Sequence, residues 1–239
     1  VSIIQKRKDI WDLWILKLNV FGEKENEHIL TAFPENEQII ENGRSILEIN
    51  NGYIVLGSLH EYELDAPSDI WLTHFDLDLS DNGDTLWSSI WDIDSYDYPT
   101  SMVANLEGGY TIAGYSSSTN SGDNGSSWVI KSDIAGAGNI LTSFSGNNFI
   151  YSMIEDENGN YILAGKKTEN SNTQGWIISI SPSGVQNWEK LYGDADIDAF
   201  YSIEQTSDKG FILSGETYNN GLGDILHVKT DPNGNVLSE

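Results

Sequence analysis

Short apolar runs, each closed by turn residues, recur along the chain at a spacing near fifty. The clearest is Gly52-Tyr53-Ile54-Val55-Leu56-Gly57, followed by Gly109-Tyr110-Thr111-Ile112-Ala113-Gly114. It returns as Asn160-Tyr161-Ile162-Leu163-Ala164-Gly165 and as Gly210-Phe211-Ile212-Leu213-Ser214-Gly215. The leading aromatics stand 57, 51 and 50 residues apart. A second short apolar segment precedes each: Ser45–Glu48, Ser101–Ala104, Ser152–Glu155 and Ser202–Gln205. Turns such as Asn50-Asn51-Gly52 and Asn158-Gly159-Asn160 join the two, which predicts β-hairpins. A third run follows each hairpin, with a further copy near the N-terminus. These five runs begin at Trp14, Trp71, Trp128, Trp176 and Leu226. Six residues rich in Ile and Val suit a strand and are too short for an ordinary helix.

Each third run ends in Asn, Asp or Ser, and in four copies a glycine follows three residues later: Gly22, Gly136, Gly184 and Gly234. A short polar side chain can hold the backbone two residues on, while glycine supplies the positive φ of a tight turn. A fourth strand then opens, as at Thr85-Leu86-Trp87. Four short strands in about fifty residues match one blade of a β-propeller. The chain is therefore expected to be all-β, a single β-propeller of four-stranded blades, five in number. The blades fall near 1–43, 44–99, 100–149, 150–199 and 200–239, with the ring closing between the termini. The competing arrangement is a piece of a longer array. A lone blade cannot cover both its faces, so the tryptophans are expected to pack between blades. Ile29–Phe33 is the expected fourth strand of the first blade, and Glu23–Glu27 a solvated turn before it. The stretches 61–68 and 116–126 are read as loops.

The repeated pattern G-G-Y-I-x-x-G, D-x-W-x-x-K-x-D-x-x-G resembles a family of exported bacterial and archaeal repeat propellers, common in Bacteroidota surface and secreted proteins. It rests on Tyr53, Gly57, Asp69, Trp71, Asp76, Gly83 and Trp87. In the third blade it rests on Tyr110, Gly114, Trp128, Lys131, Asp133 and Gly136, and in the fourth on Tyr161, Gly165, Trp176, Gly184, Trp188 and Tyr201. Leu226 replaces the tryptophan in the fifth blade. The resemblance implies the propeller fold and an extracellular or cell-surface location, and it implies no defined activity.

Charge narrows the partners. Twelve basic residues against thirty-seven acidic ones leave a net charge of −25. Such a field repels phosphate backbones and anionic membranes, so neither nucleic acid nor membrane insertion is expected. The absence of cysteine removes disulfides and thiol chemistry. His28, His60, His74 and His227 make no ligand pair, and no G-x-S-x-G nucleophile motif occurs. No catalytic residue and no cofactor are assigned. Calcium is the best small-ligand candidate, through Asp156, Asn158 and Asn160 or Asp231, Asn233 and Asn235. Calcium wants six to eight oxygens, and both trios coincide with turns that need Asn and Gly anyway. Tyr62, Tyr96, Tyr98 and Tyr218 are candidate exposed loop aromatics for binding. The expected function is a non-catalytic scaffold that binds another protein. The alternatives are a carbohydrate-binding surface module, and a glycoside-hydrolase-like enzyme with carboxylates at the central channel.

Overall fold

A computed structural model describes residues 2–5, 13–30, 39–61, 66–76, 85–120, 124–193, 197–219 and 221–238. Among these, all regular structure is strand, and no helix is long and apolar enough to cross a membrane. The first unit holds β1 (Ser2–Gln5), β2 (Leu13–Leu18) and β3 (Lys24–Leu30). The second holds β4 (Ile39–Ile49), β5 (Gly52–Glu61), β6 (Ser68–Phe75) and β7 (Thr85–Trp91). In the third are β8 (Tyr96–Ala104), β9 (Tyr110–Ser117), β10 (Ser126–Ser132) and β11 (Gly138–Phe144). The fourth runs through β12 (Asn147–Glu155), β13 (Tyr161–Glu169), β14 (Asn172–Ile180) and β15 (Gln186–Tyr192). Last come β16 (Ile197–Gln205), β17 (Phe211–Asn219), β18 (Leu222–Thr230) and β19 (Val236–Ser238).

Within every unit each strand pairs antiparallel with the next. Single parallel pairs, Ser68 with Tyr96 and Thr173 with Ile197, tie the third strand of one unit to the first strand of its successor. The strands that open units two to five start at Ile39, Tyr96, Asn147 and Ile197, so they straddle the positions 44, 100, 150 and 200 read from the sequence. Lys24–Glu27, expected as a turn, belongs to β3, whose free edge leaves its charged side chains in solvent. The turn before it is held by Asn19, whose Oδ1 accepts the amides of Phe21 and Glu23.

The core lies between units. Strand side chains alternate faces, and in the second unit Tyr53 and Val55 pack with Leu13 and Ile15 of the first. Their neighbours Ile54 and Leu56 turn the other way and pack with Met102, Ile112 and Trp128 of the third. The third joins the fourth through Val129, Leu163 and Trp176. Ile162, Ala164 and Ile177 meet Phe200, Leu213 and Val228 at the last junction. Trp71, Trp128 and Trp176 are each 1% exposed, as the inter-unit core reading expects. Their indole N–H groups are satisfied by Ser88, Ser116 and Glu189. No paired strand is shared between the first and last units among the described residues: β19 pairs with β18.

Candidate functional site

The first strands of consecutive units lie against one another. Met153 donates its backbone N–H to Ser101 Oγ at 3.1 Å, and Ile203 donates to Ser152 Oγ at 3.4 Å. The Thr100 hydroxyl reaches the carbonyl of Ile150 at 2.9 Å. Each first strand carries one extra residue relative to its partner: Arg44, Thr100, Tyr151 and Tyr201. A bulge of this kind bends the strand and re-aims a side chain. The physical cause is legible across the ladder. Gly57, Gly114, Gly165 and Gly215 face these bulges, and a Cβ on any of them would overlap a carbonyl oxygen of the bulged strand.

The bulges help gather a row of rings. Tyr98 stacks on Tyr115 at 4.9 Å between centroids, and Tyr115 meets Phe149 edge-on at 4.9 Å. Tyr115 also contacts Tyr151 at 6.1 Å, and Tyr151 contacts Tyr201 at 5.1 Å. Phe149 is buried, Tyr98, Tyr115 and Tyr151 are part-buried, and Tyr201 is 46% exposed. The row thus runs from a packed end to an open one. Tyr201 donates its hydroxyl to Glu216 Oε1. Lys166 Nζ lies 4.8 Å from the Phe149 centroid and 6.0 Å from that of Tyr151. Burial pushes the phenols of Tyr115, Tyr151 and Tyr201 upward, and Glu216 adds to the rise at Tyr201. These hydroxyls therefore keep their protons and act as donors through the neutral range.

A second group sits where the second and third units meet. Carboxylate oxygens of Asp69, Asp92 and Asp97 lie within 4.8 Å of one another. Asp97 is fully buried. Burial raises it to about 6, against hydrogen bonds from the Ser116 hydroxyl and the Ile93 amide. Asp69 is raised too, first by burial and then by Asp92. Three acids this close can share a proton or hold a hard cation. A third feature is a cleft of about 240 Å³ between the third and fourth units, lined by Phe144, Asn148, Lys167, Trp176, Gln186 and Glu189. Its lysine is neutralised by Glu189 and Glu169, at 2.7 and 2.8 Å.

The sequence candidates fall unevenly on this map. Asp156 Oδ1 accepts the amides of Asn158 and Asn160, and its Oδ2 accepts the Asn160 side chain. Asp231 does the same for Asn233 and Asn235. The two trios sit on separate turns, and each aspartate is engaged by its own backbone. Tyr96, Tyr98 and Tyr218 are part-buried strand residues rather than exposed loop residues. Tyr98 joins the row of rings, and Tyr218 lies close enough to Tyr201 to influence its charge. Tyr62 lies outside the described residues. Sequence reading missed Tyr115, Tyr151, Glu216 and Lys166 as a group. Glycine inside a predicted strand, which points to a bulge opposite, was the available signal.

No family model matches the chain, and no curated protein matches it. Among solved structures, an endo-arabinase from Bacteroides thetaiotaomicron VPI-5482 is similar at 8% identity and a TM-score of 0.44, with 91% of this chain and 84% of that one covered. A mannose phosphorylase from Leishmania mexicana, in complex with phosphate ion, is similar at 10% identity and a TM-score of 0.40, with 83% and 88% covered. Both neighbours are enzymes. The expectation of a non-catalytic protein-binding scaffold that is no enzyme finds no counterpart in these two neighbours and is not carried further.

Proposed function

We propose that the chain is a carbohydrate-active protein of the glycoside-hydrolase kind, its five units the blades of a propeller and its sugar site the face bearing Tyr98, Tyr115, Tyr151 and Tyr201. Support for the propeller comes from cores that cover both faces of the second, third and fourth units. The adjoining first strands would then line the axis, and their bulges would turn Arg44, Thr100, Tyr151 and Tyr201 toward it.

The observation that carries the functional reading is the Tyr201–Glu216 hydrogen bond at the open end of the aromatic row. A sugar ring offers an apolar C–H face and a rim of hydroxyls. An aromatic ring suits the first, and a phenol or carboxylate suits the second. Cleaving a glycosidic bond requires a carboxylate at the anomeric centre and a proton for the departing oxygen. Glu216 is the base that takes a proton from the attacking water as the new C–O bond forms and the glycosidic C–O bond breaks, and the departing oxygen takes its proton from solvent water. Tyr201, held protonated, orients that carboxylate. Asp97 is fully buried and reaches no substrate; its part is structural.

The test is release of reducing ends from a panel of neutral and acidic polysaccharides. Glu216→Gln is expected to lower kcat about 100-fold, in line with removal of an acid–base group, while binding changes little. Tyr201→Phe is expected to lose roughly tenfold. Full activity in Glu216→Gln would remove the catalytic assignment. Binding without cleavage by the wild type would leave a carbohydrate-binding module.

A further inference from the structure

Nearly every cation among the described residues already has a partner. Lys24, Lys131, Lys167, Lys209 and Lys229 are ion-paired. Lys190 donates to Asn235, and Lys17 sits near the Tyr53 hydroxyl and the charges of Glu25 and Glu48. Lys17 apart, the lysines and arginines among the described residues with neither a hydrogen bond nor an ion pair are Arg44 and Lys166. Thirty-seven acids compete for the cations of this chain, so two that stay unpaired stand out. Both fall on the same row of rings. Lys166 stands over Phe149 and Tyr151. Arg44 occupies the β4 bulge, on the strand packed against β8, and its charge is felt at Tyr98 and Tyr115.

We infer that the aromatic face takes an acidic sugar, one bearing a carboxylate or a sulfate ester, with Arg44 and Lys166 receiving the anionic group. This rests on the carbohydrate reading of the same face. An unpaired guanidinium offers the planar fork that matches a carboxylate or sulfate edge, and an ammonium offers a point charge. Lys166, part-buried over the rings of Phe149 and Tyr151, sits where water is partly displaced and a charge contact counts for more than in bulk, while Arg44 is exposed and free to reach a ligand. The net charge of −25 opposes anions at a distance. At physiological salt that field is screened beyond about 8 Å, so a local pair of cations decides recognition at contact. Glu216, the acid described on this face, is engaged by Tyr201 at the open end of the row.

The experiment is calorimetric titration of the whole protein with trigalacturonate, its trimethyl ester, and an O-sulfated galactose trisaccharide, each at low and at 0.5 M salt. Trigalacturonate is expected to bind about tenfold or more tightly than its ester, with the advantage lost at high salt. The sulfated sugar, tested beside it, tells whether the preferred anion is carboxylate or sulfate. Arg44→Gln with Lys166→Gln is expected to erase the preference and leave ester binding unchanged, while Arg44→Lys with Lys166→Arg restores most of it. Neither wild-type side chain makes a hydrogen bond, so an unchanged melting curve verifies folding of the variants. Equal binding of both anionic sugars and the ester overturns the acidic-sugar inference and leaves the carbohydrate reading standing. Binding of none of the three overturns both.

Discussion

Asp97 and Asn148 occupy the same place in the opening strands of the third and fourth units, three residues before the bulge, and both are fully buried. Asn148 accepts the Ser127 amide and donates to the carbonyls of Phe144, Ser145 and Gly146, closing the loop ahead of its strand. Asp97 closes its own loop through the Ile93 amide, but with a group that burial holds at about 6. A folded-state value above the unfolded one, about 3.9, means the native state binds the extra proton between the two. Stability is therefore greatest below about pH 4 as far as this group is concerned, falls as pH rises to about 6, and stays lower above. The gap between the folded and unfolded values corresponds to roughly 3 kcal/mol. Asp97→Asn is expected to flatten most of this slope and to raise the melting temperature at pH 7, read by denaturation at pH 4.5 and 7; Asp69, raised in the same direction, keeps a residual slope. Trp128 is the other decisive residue. It is 1% exposed and donates to Ser116 at 2.7 Å. Trp128→Ala is expected to cost about 3–5 kcal/mol in urea denaturation, and an unchanged midpoint would contradict its place in the core.

At the scale of elements, the hairpin and the polar-to-glycine turn were legible because both are local. Asp133 shows the mechanism: its Oδ1 accepts the amides of Ala135 and Ala137 while Gly136 takes a φ of +79°. The length of the opening strands was not legible. Their first residues, such as Tyr96-Asp97-Tyr98 and Asn147-Asn148, put a polar side chain at the buried position, so they lack an apolar signature. The same reason hid the site. Tyr151 and Tyr201 precede the repeated serine, and only the bulge, a feature of two strands together, turns them onto a shared face. Gly165→Ala tests that coupling. Its added Cβ would overlap the Phe149 carbonyl, so the bulge must shift. A loss of stability together with weakened sugar binding is expected, whereas a stable variant that binds normally would separate the glycine from the site.

Across the whole molecule, apolar pairs face each following unit: Leu56–Leu72, Ala113–Val129 and Ala164–Ile177. In the last unit the corresponding pair is Ser214–His227, and nearby Ile225 is 71% exposed. The far face of the fifth unit is therefore the least apolar of these surfaces, and it would be the loosest joint of the proposed ring. The acidic charge acts on the same scale: self-repulsion weakens a chain at −25, and the melting temperature is expected to rise between 10 mM and 0.3 M sodium chloride. Under the proposed function, sugar binds where the opening strands converge. Hydrogen–deuterium exchange with saturating oligosaccharide from the titration tests it most directly. Protection is expected in peptides spanning residues 96–101, 149–153, 164–168 and 199–216. Protection confined to the cleft around Lys167 and Glu189, with the strands bearing Tyr98, Tyr115 and Tyr201 unchanged, would contradict it.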